Sequence, residues 1–171
     1  MHRLDRGVSG LLVFGCSLEV AQQLRSQFEA RKPDRIYAGI VAGEVRQPEG
    51  TFRSFLATDR STLNQYSTRD EVAGQLAITH YQLLQATPVA SLVQVRLETG
   101  RRNQIRVHFA EAGHPILGDM RYGRQAWDTQ LWPHHRLALH AQTLGFTHPV
   151  SGKKLSFQSR LPREFDCLRR R

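Results

Sequence analysis

The amino-acid sequence predicts an α+β fold with a mixed, mainly antiparallel sheet and a few flanking helices. Strand-like segments outnumber helical ones, and most of them are joined by short turns of the kind that connect hairpins. The chain has 171 residues and 40% hydrophobic content, which is enough to bury one core. We therefore expect a single globular domain over residues 1–171.

The first two elements are predicted to be a strand and a helix. Residues 11–15 form a short apolar run that predicts a buried strand. Ser17 is a suitable N-cap for a helix that extends to about residue 32, and Pro33 stands just beyond its expected end. Three apolar side chains fall on one face of this helix: Val20, Leu24 and Phe28.

The rest of the chain is predicted to consist mainly of strands. A polar stretch at residues 58–74 is expected to be an exposed loop, and a helix over about residues 102–112 ends at Gly113, which is a good residue for leaving a helix. Turn residues at 48–50 and at 87–88 separate neighbouring strands. The predicted strands cover residues 35–45, 51–57, 77–86, 91–99, 137–146 and 154–159.

Charge and composition limit the classes of function. The net charge of +9 suits a polyanionic partner, and it favours nucleic acid over a membrane because no basic helix carries an aromatic face. No apolar run approaches the ~20 residues of a membrane span, and no signal peptide is visible. Cys16 and Cys167 lie far apart, as reduced thiols of a cytoplasmic protein would. A metal site is disfavoured because the spacing matches no common zinc pattern for the candidate ligands His114, Asp119, His134, His135 and His140.

The segment HRLDRGVSG at residues 2–10 holds the first candidate for chemistry. Asp5 stands among the cationic side chains of Arg3 and Arg6, on a turn rich in small residues and just before an apolar segment. Neighbouring cations favour the ionised carboxylate, which makes Asp5 a candidate catalytic group. The alternative is a solvated, charged surface turn.

A second candidate is the helix that follows Gly100. Its first turns carry Arg101, Arg102, Arg106 and His108, although helix N-termini favour anions over cations. Arginines at the start of a helix predict a negatively charged partner, which is either an external phosphate or an internal carboxylate. Asp5 is the obvious choice for the carboxylate. A solvated basic face is the alternative.

Tyr37 is the third candidate. It shares one face of its predicted strand with Gly39, and the missing side chain of the glycine is expected to leave space beside the ring. A flat ligand such as a nucleobase could stack there. The alternative is an ordinary half-buried tyrosine.

The order and spacing of five motifs resemble those of the RluA-type RNA pseudouridine synthases. The similarity covers nearly the whole chain, and ordered motifs are far more specific together than any one alone. The motifs are HRLD at residues 2–5, RIYAGIV at 35–41, GRRNQIRVH at 100–108, GHPILGD at 113–119 and LALHA at 137–141.

This resemblance implies an enzyme that isomerises uridines in ribosomal or transfer RNA to pseudouridine, without cofactor or metal. Asp5 would be the essential residue, Tyr37 would stack on the target base and help remove the proton from carbon 5, and Arg106 would pair with Asp5 as a third catalytic residue. Arg3 would help hold the displaced base, and Arg6, Arg101, Arg102 and His108 would complete the RNA-binding residues. For His108 the alternative to a phosphate contact is a structural one. If the Asp5–Arg106 pair is buried, removing either partner should cost about 3–5 kcal/mol.

Departures from the family pattern leave an alternative open, a catalytically impaired RNA-binding paralogue. Val8 replaces a usual threonine, Gly15-Cys16 an alanine-lysine pair, and Arg102-Asn103 a threonine-histidine pair. A third hypothesis is an unrelated basic protein that binds DNA or phosphate. Family members carry strands, and often an S4 domain, before HRLD, so we also expect an N-terminally truncated sheet with an unpaired edge that a homodimer would cover.

Overall fold

The structure is a computed structural model that describes residues 3–123 and 131–169. His2 of the first motif and the two final arginines of the chain lie outside the described residues. The helices are α1 (Leu18–Glu29), α2 (Gln104–Glu111) and a 3₁₀ helix (Arg163–Arg169). The strands are β1 (Ser9–Gly10), β2 (Asp34–Ala42), β3 (Glu49–Thr58), β4 (Gln65–Thr68), β5 (Gln75–Ala86), β6 (Ala90–Leu97), β7 (Leu139–Thr147) and β8 (Lys154–Gln158).

The strands of the described residues form one sheet in the order β1-β7-β2-β6-β5-β3-β4, and β8 also pairs with β7. Every pairing is antiparallel except that of β1 with β7, which is parallel. The predicted class, a mixed but mainly antiparallel sheet with few helices, is confirmed. The predicted hairpin of β5 and β6 is also present.

Strand β2 is the centre of the sheet and of the core. It pairs with β6 on one side and with β7 on the other, and its residues 37–42 are all buried. Consecutive buried residues in a strand require cover on both faces of the sheet, because neighbouring side chains point to opposite faces. Helix α2 supplies Ile105 and Phe109 to this core, and the 3₁₀ helix supplies Phe165 and Leu168.

The predicted strand at residues 11–15 is wrong. Strand β1 ends at Gly10, and the next residues expose Leu12 and Phe14, the latter to 68%. The edge of β7 explains this. β1 pairs with His140 and Ala141, whereas β8 occupies the same edge from Thr143 onward. A longer β1 would need the backbone groups of β7 that β8 already binds.

The predicted loop at residues 58–74 is also wrong in part, because it contains β4, which pairs with the end of β3. Long-range contacts fix this strand. The backbone N–H of Gln65 donates to the Tyr122 hydroxyl at 2.9 Å, and that of Ser67 donates to Glu111 at 2.8 Å. A pattern of local hydrophobicity does not report such contacts.

Both helices form close to the predicted places. Ser17 caps α1 by accepting a hydrogen bond from Val20 N–H, as predicted. Helix α2 begins at Gln104 because Asn103 adopts a left-handed conformation, and Gly113 leaves the helix with φ of 85°. Within the described ranges, neither helix has the length and apolar character needed to traverse a lipid bilayer.

Candidate active site

Asp5 lies at the first position of a tight turn that is fastened to the sheet. Its carbonyl oxygen accepts the N–H of Val8 at 3.0 Å, and Gly7, at the third position, has φ of 85°. A positive φ at that position is typical of a type II turn and requires glycine or a similarly permissive residue. The Gly7 carbonyl in turn accepts the N–H of Leu137 at 3.1 Å, which fixes the turn beside the chain entering β7.

Arg106, on helix α2, reaches the Asp5 carboxylate from the other side of the site. Its Nη1 lies 3.4 Å from Asp5 Oδ2. Its shorter bonds go to Asp119, which accepts from Nε at 2.7 Å and from Nη2 at 2.8 Å. The guanidinium therefore binds Asp119 through two parallel hydrogen bonds and offers its remaining edge to Asp5.

The burial of this cluster shows which pair is the anchor. The side chain of Asp119 is fully buried and also accepts the backbone N–H groups of Arg121 and Tyr122, whereas that of Asp5 is 21% exposed. Burial opposes the charge on Arg106, but hydrogen bonding and attraction from Asp119, with a smaller contribution from Asp5, outweigh it and raise the pKa of Arg106. The sequence predicted a pair of Arg106 with Asp5 alone. The structure shows that the more buried ion pair of the site is Arg106–Asp119.

Two further residues hold the Arg106 side chain in place. Asn103 Oδ1 accepts from Arg106 Nη1 at 3.1 Å, and Asn103 Nδ2 donates to the Tyr122 hydroxyl at 3.0 Å. The Arg106 guanidinium also lies 5.0 Å from the centroid of the Tyr122 ring, within cation–π range. Sequence analysis missed Tyr122 and the role of Asn103. The only signal was that both stand within three residues of Arg106 or Asp119.

Tyr37 is buried in β2 beside the Asp5 cleft. The register of the β2–β7 pairing shifts between Ile36 and Tyr37, so β7 has one extra residue there, an irregularity that often re-aims a side chain near a site. Burial is the main cause that raises the pKa of Tyr37, opposed by Arg35 and supported by Asp5. The gap predicted above Gly39 is wrong, because Ile116 and Leu139 fill that space.

Asp5 lies where three clefts meet, and arginines line all of them. The cleft that Asp5, Tyr37 and Arg106 all line has a volume of about 60 Å³ and is open to solvent. A second runs toward His135 and Arg136, and a third runs over Gly100. The predicted RNA-binding residues Arg3, Arg6, Arg101 and Arg102 all line one or more of these clefts.

His108 is an exception among the predicted RNA-binding residues. Its ring is buried and forms two hydrogen bonds, from Nδ1 with the Thr79 hydroxyl at 2.9 Å and from Nε2 with the Ser54 hydroxyl at 3.0 Å. Burial lowers the pKa of His108 to about 4, which keeps the ring neutral near physiological pH. His108 is therefore a structural residue between α2 and the sheet, which is the second of the two roles expected from the sequence, and its burial argues against the phosphate contact.

The site combines the partly exposed carboxylate of Asp5, the oriented guanidinium of Arg106, the buried phenol ring of Tyr37 and a cationic rim of arginines. Such a site can hold a flat, neutral base near a carboxylate while phosphates contact the rim. Among the described residues, no three His, Cys, Asp or Glu side chains gather in a way that could hold a metal ion.

Comparison with known proteins identifies the family. Residues 1–111 match the sequence model of the family described as RNA pseudouridylate synthase. The chain is 36% identical to "Ribosomal large subunit pseudouridine synthase D" of Zymomonas mobilis, over 98% of the chain and 54% of that protein. It is 37% identical to "tRNA pseudouridine synthase C" of Pectobacterium carotovorum, over 94% of the chain and 46% of that protein. The chain thus spans about half the length of the curated relatives it matches.

A solved structure supports the same assignment. Human RNA pseudouridylate synthase domain containing 4 superposes with a TM-score of 0.80 and 25% identity, over 98% of this chain and 74% of that one. The family match covers more than half of the chain and includes Asp5, Tyr37 and Arg106. The resemblance seen in the sequence is therefore confirmed, and the chain belongs to the RNA pseudouridylate synthase family.

Proposed function

We propose that this chain isomerises uridine in RNA to pseudouridine, with Asp5 as the catalytic carboxylate. The observation that carries the proposal is the position of Asp5. It stands where three arginine-lined clefts meet, and its carboxylate lies 3.4 Å from the Arg106 guanidinium, which Asp119 holds in place. Family membership supports the reaction class.

The reaction needs confinement more than strong acid or base chemistry. The bond between N1 of uracil and C1′ of the ribose breaks, the base turns, and a bond forms between C5 and C1′. The proton on C5 is lost and N1 gains one, so the product is an isomer. Asp5 acts as a nucleophile toward the sugar or the ring, or as a base toward a sugar proton.

Arg106 is a positioning residue in this proposal, because it acts through Asp5. Its two bonds to Asp119 fix the guanidinium before RNA arrives, and the third edge then orients and keeps ionised the carboxylate that reacts. Tyr37 supplies the wall on which the extruded base stacks. Its buried phenol keeps its proton at neutral pH, because burial raises the pKa of Tyr37.

The proposed substrate is ribosomal or transfer RNA, the two classes named in the relatives, and the proposed setting is the cytoplasm. The arginine-lined clefts support an RNA partner, since cationic side chains neutralise backbone phosphates. Extruding a base costs a few kcal/mol, which phosphate contacts and stacking offset.

We also propose that a second copy of the chain covers the apolar segment after β1. Leu12, Phe14 and Leu18 are exposed to 39%, 68% and 76%, and they follow β1, which is an edge strand of the sheet. Large apolar side chains exposed on one short segment support an interaction surface.

The decisive experiment is tritium release from RNA that carries 5-tritiated uridine. The proposal expects the wild-type chain to release tritium and Asp5→Asn to release none. Asp70→Asn, at an exposed loop residue remote from the clefts, is the matched control and should keep the wild-type rate. RNA binding by the wild-type chain without tritium release would refute the proposal and favour the impaired paralogue.

A further inference from the structure

Arg35 is a buried cation that forms no ion pair among the described residues, although the charge of the neighbouring Asp34 attracts it. It lies in β2, and only 7% of its surface is exposed. Its Nε is buried without a hydrogen-bond partner in the part of the chain that the structure describes. The guanidinium stands 5.9 Å from the centroid of the Phe28 ring, and burial lowers the pKa of Arg35. A charge held in this way is costly unless an anion completes its environment.

The space beside Arg35 is open and cationic. Arg35, Gly100 and Arg101 line both the cleft that reaches Asp5 and a neighbouring cleft at the end of α1. Arg31 lines the second cleft, and its charge contributes, after burial, to lowering the pKa of Arg101. The one acidic side chain of that cleft, Glu29, is paired with Arg25 at 2.7 Å.

Gly100 makes room for the Arg35 guanidinium in the cleft. A Cβ placed on Gly100 would collide with Nη1 of Arg35. The backbone therefore approaches the cation closely, and the guanidinium occupies the space that a side chain at position 100 would take. Arg101 is held from the other side by the bond from its Nε to the Leu76 carbonyl at 3.1 Å.

We propose that Arg35, Gly100 and Arg101 form a binding site for one backbone phosphate of the RNA, next to the phosphate-sugar unit of the target uridine. The inference rests on the proposed function for the identity of the ligand. A phosphate diester fits because its two unesterified oxygens accept from two guanidinium groups at once. The cleft that contains Arg35, Gly100 and Arg101 also contains Asp5 and Tyr37, so a phosphate at Arg35 and the target base at Asp5 would share one cleft.

The first test compares Arg35→Met with Arg46→Met in binding to a short single-stranded oligoribonucleotide that contains one uridine. Arg46 is an exposed arginine outside the Asp5 clefts, so its variant is the matched control. Arg35→Met should raise Kd about tenfold to a hundredfold. It should also make the plot of the logarithm of the observed binding constant against the logarithm of salt concentration less steep by about 0.7, which corresponds to the loss of one single-strand phosphate contact. Arg46→Met should change neither.

The unfolding midpoint of RNA-free Arg35→Met distinguishes a binding role from a structural one. Because the cation forms no ion pair among the described residues, a methionine of similar length should leave the midpoint at or above the wild-type value. A lower midpoint together with an unchanged Kd would show that Arg35 is structural and would overturn the proposal.

A second test replaces single phosphates of the oligoribonucleotide with uncharged methylphosphonates. Replacing one particular linkage beside the uridine should weaken binding to the wild-type chain. The same replacement should not weaken binding to Arg35→Met any further, because that variant already lacks the other partner of the contact. Gly100→Ala, which retains every charge but displaces the Arg35 guanidinium, should lose the same linkage dependence. If no linkage couples to Arg35, the proposal is wrong. These measurements require no turnover, so a chain that passes them but releases no tritium would refute only the isomerase function.

Discussion

The same substitution at the two carboxylates that contact Arg106 should cost very different amounts of stability. Asp119→Asn breaks the more buried pair, in which both carboxylate oxygens accept from the guanidinium at 2.7 and 2.8 Å. Removing one partner of a buried ion pair leaves a buried charge uncompensated, which costs about 3–5 kcal/mol of unfolding free energy. Asp5→Asn removes a longer contact of 3.4 Å at a side chain that is 21% exposed, and Arg106 keeps Asp119. We expect that change to cost about 1 kcal/mol or less.

Denaturant unfolding and tritium release together test this difference. Asp5→Asn should unfold near the wild-type midpoint and release no tritium. Asp119→Asn should unfold at a much lower denaturant concentration and, under conditions where it is still folded, show a lower kcat because Arg106 no longer orients Asp5. Equal stability losses in the two variants would refute the reasoning, since Asp5–Arg106 would then be the principal ion pair.

Three further predictions concern separate parts of the molecule. Burial lowers the pKa of His108 from 6.5 to about 4, so the unfolded chain takes up a proton first as pH falls and stability should decrease by about 3 kcal/mol between those two values. When the free energy of unfolding is measured above pH 6.5 and near pH 4, His108→Gln should show a smaller difference between the two than the wild-type chain. An equal difference would contradict a buried, neutral His108. Tyr37→Phe retains the ring on which the base stacks and removes only a phenol that keeps its proton at neutral pH, so RNA affinity and the rate of tritium release should both persist. A fall of about 100-fold in tritium release would contradict this and show that the hydroxyl assists proton removal. Sedimentation should show concentration-dependent dimers that Phe14→Ser weakens, and a wild-type monomer at every concentration would contradict the proposed covering of this segment.

The sequence predicted the elements whose signals are local. Alternation identified β2, the Thr87-Pro88 turn identified the β5–β6 hairpin, and Ser17 marked the start of α1. It failed where another segment decides the outcome. The apolar run after Gly10 is strand-like, but β8 takes its place on β7.

The site shows the same division. Motif order brought Asp5, Tyr37 and Arg106 together as candidates, and the structure places all three around one cleft. The anchor of Arg106 was not predictable, because a guanidinium near two carboxylates binds most strongly the one that is buried, and burial is a tertiary property. His108 was misassigned for the same reason, since its helix position does not reveal that Ser54 and Thr79 enclose its ring.

The short β1–β7 pairing has a consequence for how the site exists over time. Two residues of parallel pairing, with Leu11 N–H bound to Ala141, attach the first strand, whereas β2 is bonded along both sides. Segments held by few backbone bonds open locally at the lowest free energy. We expect each such opening to move Asp5 away from Arg106 and to leave the Arg106–Asp119 pair intact, because neither member of that pair belongs to β1. Under the proposed function, an RNA that contacts both sides would shift the population toward the closed form and so help to complete its own binding site.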